Sequence, residues 1–149
     1  MSKINSTQTI LIVEDSDDDF EVTELAFKEA NLINPIIRCD DGQDALDLLY
    51  KEGRYSNSDI SLPGIILLDL NMPGLDGRKV LRKIKGNERL KEIPVIILTT
   101  SNDEKDIDEC YKIGANTYIK KPVDMESFVA SIKRLKEYWL EIAILPRVD

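Results

Sequence analysis

The sequence contains no histidine, and this absence excludes several kinds of chemistry at once. Without an imidazole the chain has no His-based general acid–base catalyst, no His-ligated zinc site and no phosphohistidine of its own. Cys39 and Cys110 are too few for a disulfide framework, and we expect both to be reduced in a chain without an export signal. Any reaction on this chain must therefore use carboxylates, hydroxyls and amines.

Long apolar segments are also missing from the sequence. The first residues, MSKINSTQT, lack the apolar core of a signal peptide, and no run approaches the roughly 20 residues that a membrane helix needs. Lysine and arginine number 20 against 28 aspartates and glutamates, and this net charge of −8 disfavours a nucleic-acid-binding surface. These absences predict a cytoplasmic protein that binds neither membrane nor nucleic acid.

Short β-branched runs alternate with longer segments of helical periodicity along the whole chain. We expect strands at 9–14, 36–39, 64–69, 94–99 and 117–120, and helices at 20–30, 42–52, 77–86, 104–114 and from about Met125. The runs ILIV, IILL and VIIL are apolar throughout, which is typical of parallel strands buried on both faces. The sequence therefore predicts an α/β fold, a doubly wound five-stranded parallel sheet in the common strand order 2-1-3-4-5.

Polar residues follow four of the predicted strands at their carboxyl ends. Strand 1 is followed by Glu14 and Asp15, strand 3 ends in Asp69, strand 4 ends in Thr99, and strand 5 is followed by Lys121. In the expected strand order these ends share one edge, close to the point where the order reverses. Crowded carboxylates repel one another, and a bound cation removes that repulsion. An all-oxygen ligand set with few carboxylates favours Mg²⁺.

The same residues suit phosphoryl transfer. A carboxylate such as Asp69 can act as a nucleophile toward phosphorus and form an aspartyl phosphate. Such a transfer depends mainly on positioning and on neutralisation of charge. Mg²⁺ and Lys121 would supply the neutralisation, and Thr99 would donate a hydrogen bond to a phosphoryl oxygen. The other acids of the EDSDDD run, Asp17, Asp18 and Asp19, are expected only to favour a helix N-terminus.

Four motifs occur in order along the chain: LIVEDSDDD, LLDLNMPGLDG, PVIILTTS and YIKKP. With them the chain resembles a two-component response-regulator receiver domain over about residues 9–138, and this implies a flavodoxin-like receiver fold with Asp69 as the phosphoacceptor. The resemblance also implies the metal site: Asp15, Asp69 and the backbone carbonyl of Asn71 as Mg²⁺ ligands, with Glu14 acting on the metal through water. It implies Thr99 as the switch hydroxyl, Lys121 as the amine that contacts the phosphoryl group, Tyr118 as the aromatic that turns inward on activation, and Pro122 after a cis peptide bond. Simple packing is the alternative role for Tyr118.

A narrower resemblance rests on the long loop 53–64, the NMPGLDG turn and the tail YWLEIAILP. These features resemble the single-domain response regulators that partner cyanobacterial phytochromes. The implied partners are a sensor histidine kinase of phytochrome type and a downstream protein target. We divide the chain into an N-terminal arm at 1–8, a receiver domain at 9–138 and a C-terminal extension at 139–149.

The last helix and the tail carry more apolar residues than one buried stripe needs. Leu140, Ile144 and Leu145 lie off the stripe, and surplus apolar surface of this kind indicates an interface. We therefore expect a homodimer formed through the last helix and the tail. The alternative is a tail that folds back on its own domain.

Three other functions are alternatives to a signalling switch controlled by phosphorylation of Asp69. A hydrolase with an aspartate nucleophile would carry a second carboxylate two residues on, where this chain has Asn71. A flavin-binding module would need a hydroxyl-rich phosphate loop where this chain has acids. A receiver-like module that binds partners without phosphorylation remains the main alternative, although its metal and acceptor positions should be degraded and here they are intact.

Overall fold

The computed structural model describes residues 8–142, with side chains described for residues 8–139. Five short parallel strands form its centre: β1 (Ile10–Val13), β2 (Ile36–Cys39), β3 (Ile65–Leu68), β4 (Val95–Thr99) and β5 (Thr117–Lys120). They pair in the order β2-β1-β3-β4-β5, which confirms the predicted sheet. The strand order reverses between β1 and β3, so the edge beyond their carboxyl ends is where a ligand is expected.

Five helices connect and follow the strands: α1 (Asp17–Glu29), α2 (Gly42–Tyr50), α3 (Gly77–Lys85), α4 (Glu104–Ile113) and α5 (Met125–Lys136). Each begins after a side chain that accepts a hydrogen bond from a backbone N–H of its first turn; these caps are Ser16, Asp41, Asp76, Asp103 and Asp124. The Ser16 cap starts α1 at Asp17 rather than at the predicted residue 20. α5 continues as a π-helical segment over Glu137–Ile142.

The three central strands, β1, β3 and β4, are buried on both faces, which explains their continuous apolar runs. Alternate strand residues point to opposite sides, one set packing under α2, α3 and α4 and the other under α1 and α5. The apolar residues of α3, Val80, Leu81 and Ile84, recur at helical spacing and are fully buried against the sheet. Leu25 of α1 is apolar but 47% exposed, because the helix buries the face that contains Ala26 and Phe27.

The predicted division of the chain is only partly covered by these elements. Residues 1–7 of the predicted arm and 143–149 of the predicted extension lie outside the described residues. The boundaries at 9 and 138 therefore stay predictions. Within the described part of the chain, no helix combines the length and apolar character needed to cross a membrane.

The start of α3 presses against the loop that follows β3. Gly77 donates its backbone N–H to the carbonyl of Leu70 at 3.0 Å. A Cβ atom at position 77 would overlap the carbonyl oxygen of Asp69 and lie 2.7 Å from Cα of Leu70. Glycine is therefore required here by close approach, and α3 fixes the backbone that carries Asp69.

Replacing Gly77 by alanine should lower the free energy of unfolding by about 2 kcal/mol or more, because the added methyl group must displace backbone atoms. Urea unfolding followed by circular dichroism measures the change. Gly74→Asn is the matched control, since position 74 has φ +76° and no atom near its would-be Cβ. Asparagine tolerates that backbone, so its cost should stay below about 1 kcal/mol. Equal losses in the two variants would contradict the close-approach explanation.

Candidate functional site

The carboxyl edge of the sheet gathers the side chains that the sequence predicted to meet there. Glu14 follows β1, Asp69 follows β3, Thr99 is the last residue of β4, and Lys121 follows β5. β1 and β3 are neighbours in the sheet, so Glu14 and Asp69 emerge side by side. All four residues are buried although all are polar, which marks this edge as a site rather than as core.

Three carboxylates converge at this edge. Glu14, Asp15 and Asp69 each place one carboxylate oxygen within 4.8 Å of the other two. Asp15 is accessible to solvent, while Glu14 and Asp69 are buried. A cluster of oxygen donors without sulfur or imidazole, open to water on one side, has the chemistry of a site for a hard divalent cation.

The ammonium of Lys121 lies among the carboxylates. Its Nζ donates to Glu14 Oε1 at 2.5 Å, to Asp19 Oδ2 at 2.8 Å and to Asp69 Oδ2 at 3.4 Å. The backbone N–H of Lys121 donates to the carbonyl of Thr99 at 2.6 Å, which ties the end of β5 to that of β4. Lys120 is exposed, as expected for adjacent residues of a strand.

The electrostatics of Glu14 and Lys121 follow from their burial together. Burial raises the pKa of Glu14 to about 7, and the nearby charge of Asp69 adds to this effect, although Lys121 opposes it. Burial alone would lower the pKa of Lys121, but its hydrogen bonds to Asp19 and Glu14, with the charge of Asp69, outweigh burial and raise that pKa. Lys121 is thus held as a cation, and Glu14 is a carboxylate whose charge is costly to bury.

Thr99 and Asn71 complete the rim around Asp69. The Nδ2 group of Asn71 donates to Thr99 Oγ1 at 3.4 Å, and its backbone N–H donates to Asp69 Oδ1 at 3.4 Å. Thr99 is fully buried at the end of β4. The hydroxyl of Thr99 is therefore connected to the carboxylate of Asp69 through the loop that follows β3.

Tyr118 turns toward the protein rather than toward solvent. Its hydroxyl donates to the carbonyl of Ser101 at 2.8 Å, and its ring packs against the core under α2, α3 and α4. The hydroxyl of Ser101 donates to Asp106 of α4 at 2.7 Å, and Arg78 of α3 binds the same carboxylate at 2.6 Å. Tyr118 is thereby connected through the loop after β4 to two helices; its role as a switch stays a prediction.

The cis peptide bond predicted before Pro122 is wrong for this structure, since the described residues contain no cis peptide bond. The Lys121–Pro122 bond is trans, the isomer that is lower in energy by about 0.5–1 kcal/mol before proline. The trans bond is compatible with the burial of Lys121 and its contacts to the carboxylates.

Sequence reasoning missed the part that Asp19 plays at this site. Asp19 does lie in the first turn of α1, as predicted, but its carboxylate also pairs with Lys121. The sequence held no signal for this pair, because the two residues lie 102 positions apart.

Arg38 of β2 was missed as well. Its Nε donates to the carbonyl of Glu14 at 3.1 Å, it pairs with Asp17 at 2.7 Å, and its guanidinium lies 4.9 Å from the centre of the Phe20 ring. It therefore joins the end of β1 to the first turns of α1. In the sequence, this role was indicated by an arginine inside the otherwise apolar strand IIRC.

Comparisons with known proteins agree with the geometry. The family model described as "Response regulator receiver domain" matches residues 10–133. The response regulator Rcp1 of Synechocystis sp. is 38% identical over 142 residues, which cover 95% of each chain. The phosphorylated cyanobacterial phytochrome response regulator RcpA superimposes with a TM-score of 0.89 at 38% identity, covering 95% of this chain and 99% of that one. The Mn²⁺-bound form of Rcp1 gives 0.88 at 37% identity, covering 94% and 99%.

The carboxylate cluster predicts that Mg²⁺ or Mn²⁺ stabilises the protein and that Asp15→Asn abolishes this effect. A ligand at a hundred times its Kd stabilises the folded state by about 2.7 kcal/mol, which thermal unfolding detects as a rise in Tm. Asp18→Asn makes the same charge change at an exposed position of α1 and should keep the full rise. The rise for each variant is measured against its own metal-free protein. An equal rise in Asp15→Asn would remove Asp15 from the ligand set.

Proposed function

The chain belongs to the response regulator receiver domain family, and we propose that it is a phosphorylation-controlled switch of a two-component phosphorelay. In this proposal a sensor histidine kinase in the cytoplasm transfers a phosphoryl group to Asp69. The observation that carries the proposal is the meeting of Asp69 with two further carboxylates and the Lys121 ammonium at one edge of the sheet.

The proposed reaction is an in-line transfer. A carboxylate oxygen of Asp69 attacks phosphorus while the P–N bond to the kinase histidine breaks. Lys121 neutralises charge on the phosphoryl oxygens, and Thr99 donates its hydroxyl to one of them, which is the kind of stabilisation that phosphoryl transfer needs. The protein catalyses its own phosphoryl uptake and loss and acts on no separate substrate.

The acidic cluster provides the place for the metal. Asp15, Asp69 and the backbone carbonyl of Asn71 would hold Mg²⁺ directly, and Glu14 would act through a water molecule. When bound, the ion supplies positive charge beside the phosphoryl oxygens. The fit of this cluster to a hard cation and the Mn²⁺-bound form of the relative Rcp1 support the assignment.

The switch is proposed to pass from Thr99 to Tyr118. A phosphoryl group on Asp69 draws the hydroxyl of Thr99 toward it, and the loop after β4 follows. Tyr118 then changes its contact with Ser101 and its place against the core. The surface formed by α4, β5 and α5 is repacked, and a downstream protein reads the change. Such coupling of a local charge to a two-state element is a general form of switching.

The proposed kinase is of phytochrome type. The relative RcpA is a cyanobacterial phytochrome response regulator, and its structure covers nearly the whole of this chain. Similarity along the whole receiver domain, rather than at the site alone, supports a shared class of kinase.

Asp69→Asn should abolish phosphorylation by acetyl phosphate in the presence of Mg²⁺. Intact-protein mass spectrometry should find one phosphoryl group per wild-type chain and none on the variant, because the nucleophilic oxygen is lost. Asp59→Asn, at an exposed position of the loop before β3, is the control and should be phosphorylated like the wild type. A wild type that never acquires the group would favour the phosphorylation-independent interaction module.

We also propose a homodimer formed through α5 and the tail. Phe128, Ile132 and Leu135 of α5 are buried against the sheet, so they are not available to a partner. Tyr138 is 53% exposed beyond them and packs edge-on against Trp139. The tail residues of the predicted interface, Leu140, Ile144 and Leu145, lie outside the described side chains.

Truncation after Lys136 should convert a dimer into a monomer, because it removes the exposed Tyr138 and the apolar tail. Light scattering coupled to size exclusion measures the molar mass, and circular dichroism checks that the truncated protein is folded. Tyr138→Ala in the full chain is a milder test that leaves the tail in place. An unchanged dimer after truncation would rule the tail out.

A further inference from the structure

We propose that Asp19 is a positioning residue that competes with the phosphoryl group for Lys121 and thereby restrains phosphoryl uptake by Asp69. This inference rests on the proposed function, and it adds a residue that controls the rate. It follows from the contacts of one ammonium group and from the exposure of its partners.

All three N–H donors of the Lys121 ammonium have carboxylate acceptors in the structure. An ammonium has three N–H donors, and Nζ of Lys121 lies within hydrogen-bond distance of Glu14, Asp69 and Asp19. Its contact with Asp19, at 2.8 Å, is closer than its contact with Asp69, at 3.4 Å. Lys121 is 5% exposed, so these three carboxylates are its main acceptors. A phosphoryl oxygen can therefore accept a hydrogen bond from Lys121 only if the hydrogen bond to one of these carboxylates breaks.

Of the two partners that do not react, Glu14 and Asp19, Asp19 can be released at the lower cost. Glu14 is buried beside the ammonium, and its carboxylate would be left without its cation. The side chain of Asp19 is 39% exposed and can be solvated by water when Lys121 moves away. Release of Asp19 therefore frees the ammonium for the incoming group.

The backbone of Asp19 is fixed, which makes this contact a defined feature of α1. The N–H of Asp19 donates to the cap hydroxyl of Ser16 at 3.2 Å, and its carbonyl accepts from the hydroxyl of Thr23 at 2.8 Å. The carboxylate is thus presented to Lys121 by the first turn of the helix. A shift of this turn would change the hold of Asp19 on Lys121.

The negative charge of Asp19 is also expected to slow phosphoryl uptake, through its pairing with Lys121. With acetyl phosphate as donor, an oxygen of Asp69 forms a bond to phosphorus, the bond from phosphorus to the acetyl oxygen breaks, and acetate leaves with the electron pair. The phosphoryl group brings a charge of about −1.5 to −2 near Lys121. The carboxylate of Asp19 shares that lysine and so weakens the attraction of Lys121 for the new charge.

Asp19→Asn should therefore increase the rate constant for phosphorylation by acetyl phosphate about three- to tenfold, a range expected for one partly screened charge near the reacting group. The rate is measured by stopped flow or quenched mass spectrometry over a series of donor concentrations. Asp18→Asn is the matched control, since it makes the same charge change one residue away at an exposed position and should react like the wild type. Asp19→Glu, which keeps the charge, should stay close to the wild-type rate.

A double-mutant cycle tests whether Asp19 acts through Lys121. In a Lys121→Met background, Asp19→Asn should give no further gain, because the residue through which it acts is missing. The ¹⁵Nζ resonance of Lys121 provides a readout in metal-free protein. It should move in Asp19→Asn and not in Asp18→Asn.

The outcomes separate this inference from the proposed function. If the wild type takes up no phosphoryl group, the proposed function is wrong and the inference falls with it. If the wild type is phosphorylated and Asp19→Asn reacts at the rate of Asp18→Asn, the inference alone is wrong. A gain that persists without the Lys121 ammonium would also overturn it, since Asp19 would then act by long-range charge.

Discussion

The site depends on one buried cation among several anions. Three carboxylates meet the ammonium of Lys121 at the edge of the sheet, and two of them are buried. Without that cation, Glu14 and Asp69 would be two negative charges in a place that water reaches poorly, and such burial is costly. The lysine makes the cluster compatible with a folded chain, and the cluster in turn keeps the lysine charged.

The parallel topology brings these groups together, and this much could be predicted from the sequence. Apolar runs such as ILIV and IILL indicate strands covered on both faces, and strands of that kind align their carboxyl ends. Glu14, Asp69, Thr99 and Lys121 follow different strands far apart in the chain and still meet. The order of the strands and the residues at their carboxyl ends are enough to place these four side chains at one edge of the sheet.

Contacts that depend on side-chain direction could not be predicted in the same way. Leu25 is one of several apolar residues in this segment, but α1 buries the face that contains Ala26 and Phe27 and leaves Leu25 exposed. The contact of Asp19 with Lys121 joins a helix to a strand over 102 positions, and no local pattern encodes such a pair. The resemblance implied a cis bond before Pro122, and the structure has the trans isomer there.

Ser101 uses its two polar groups in two directions. Its carbonyl accepts from Tyr118 of β5, and its hydroxyl donates to Asp106 of α4, which Arg78 of α3 also binds. A displacement of this single residue must therefore disturb the rim of the sheet and the packing of two helices in the same event. The loop after β4 therefore couples β5 to α3 and α4. An intermediate in which only β5 or only the helices had moved would leave the Ser101 hydrogen-bonding groups without partners.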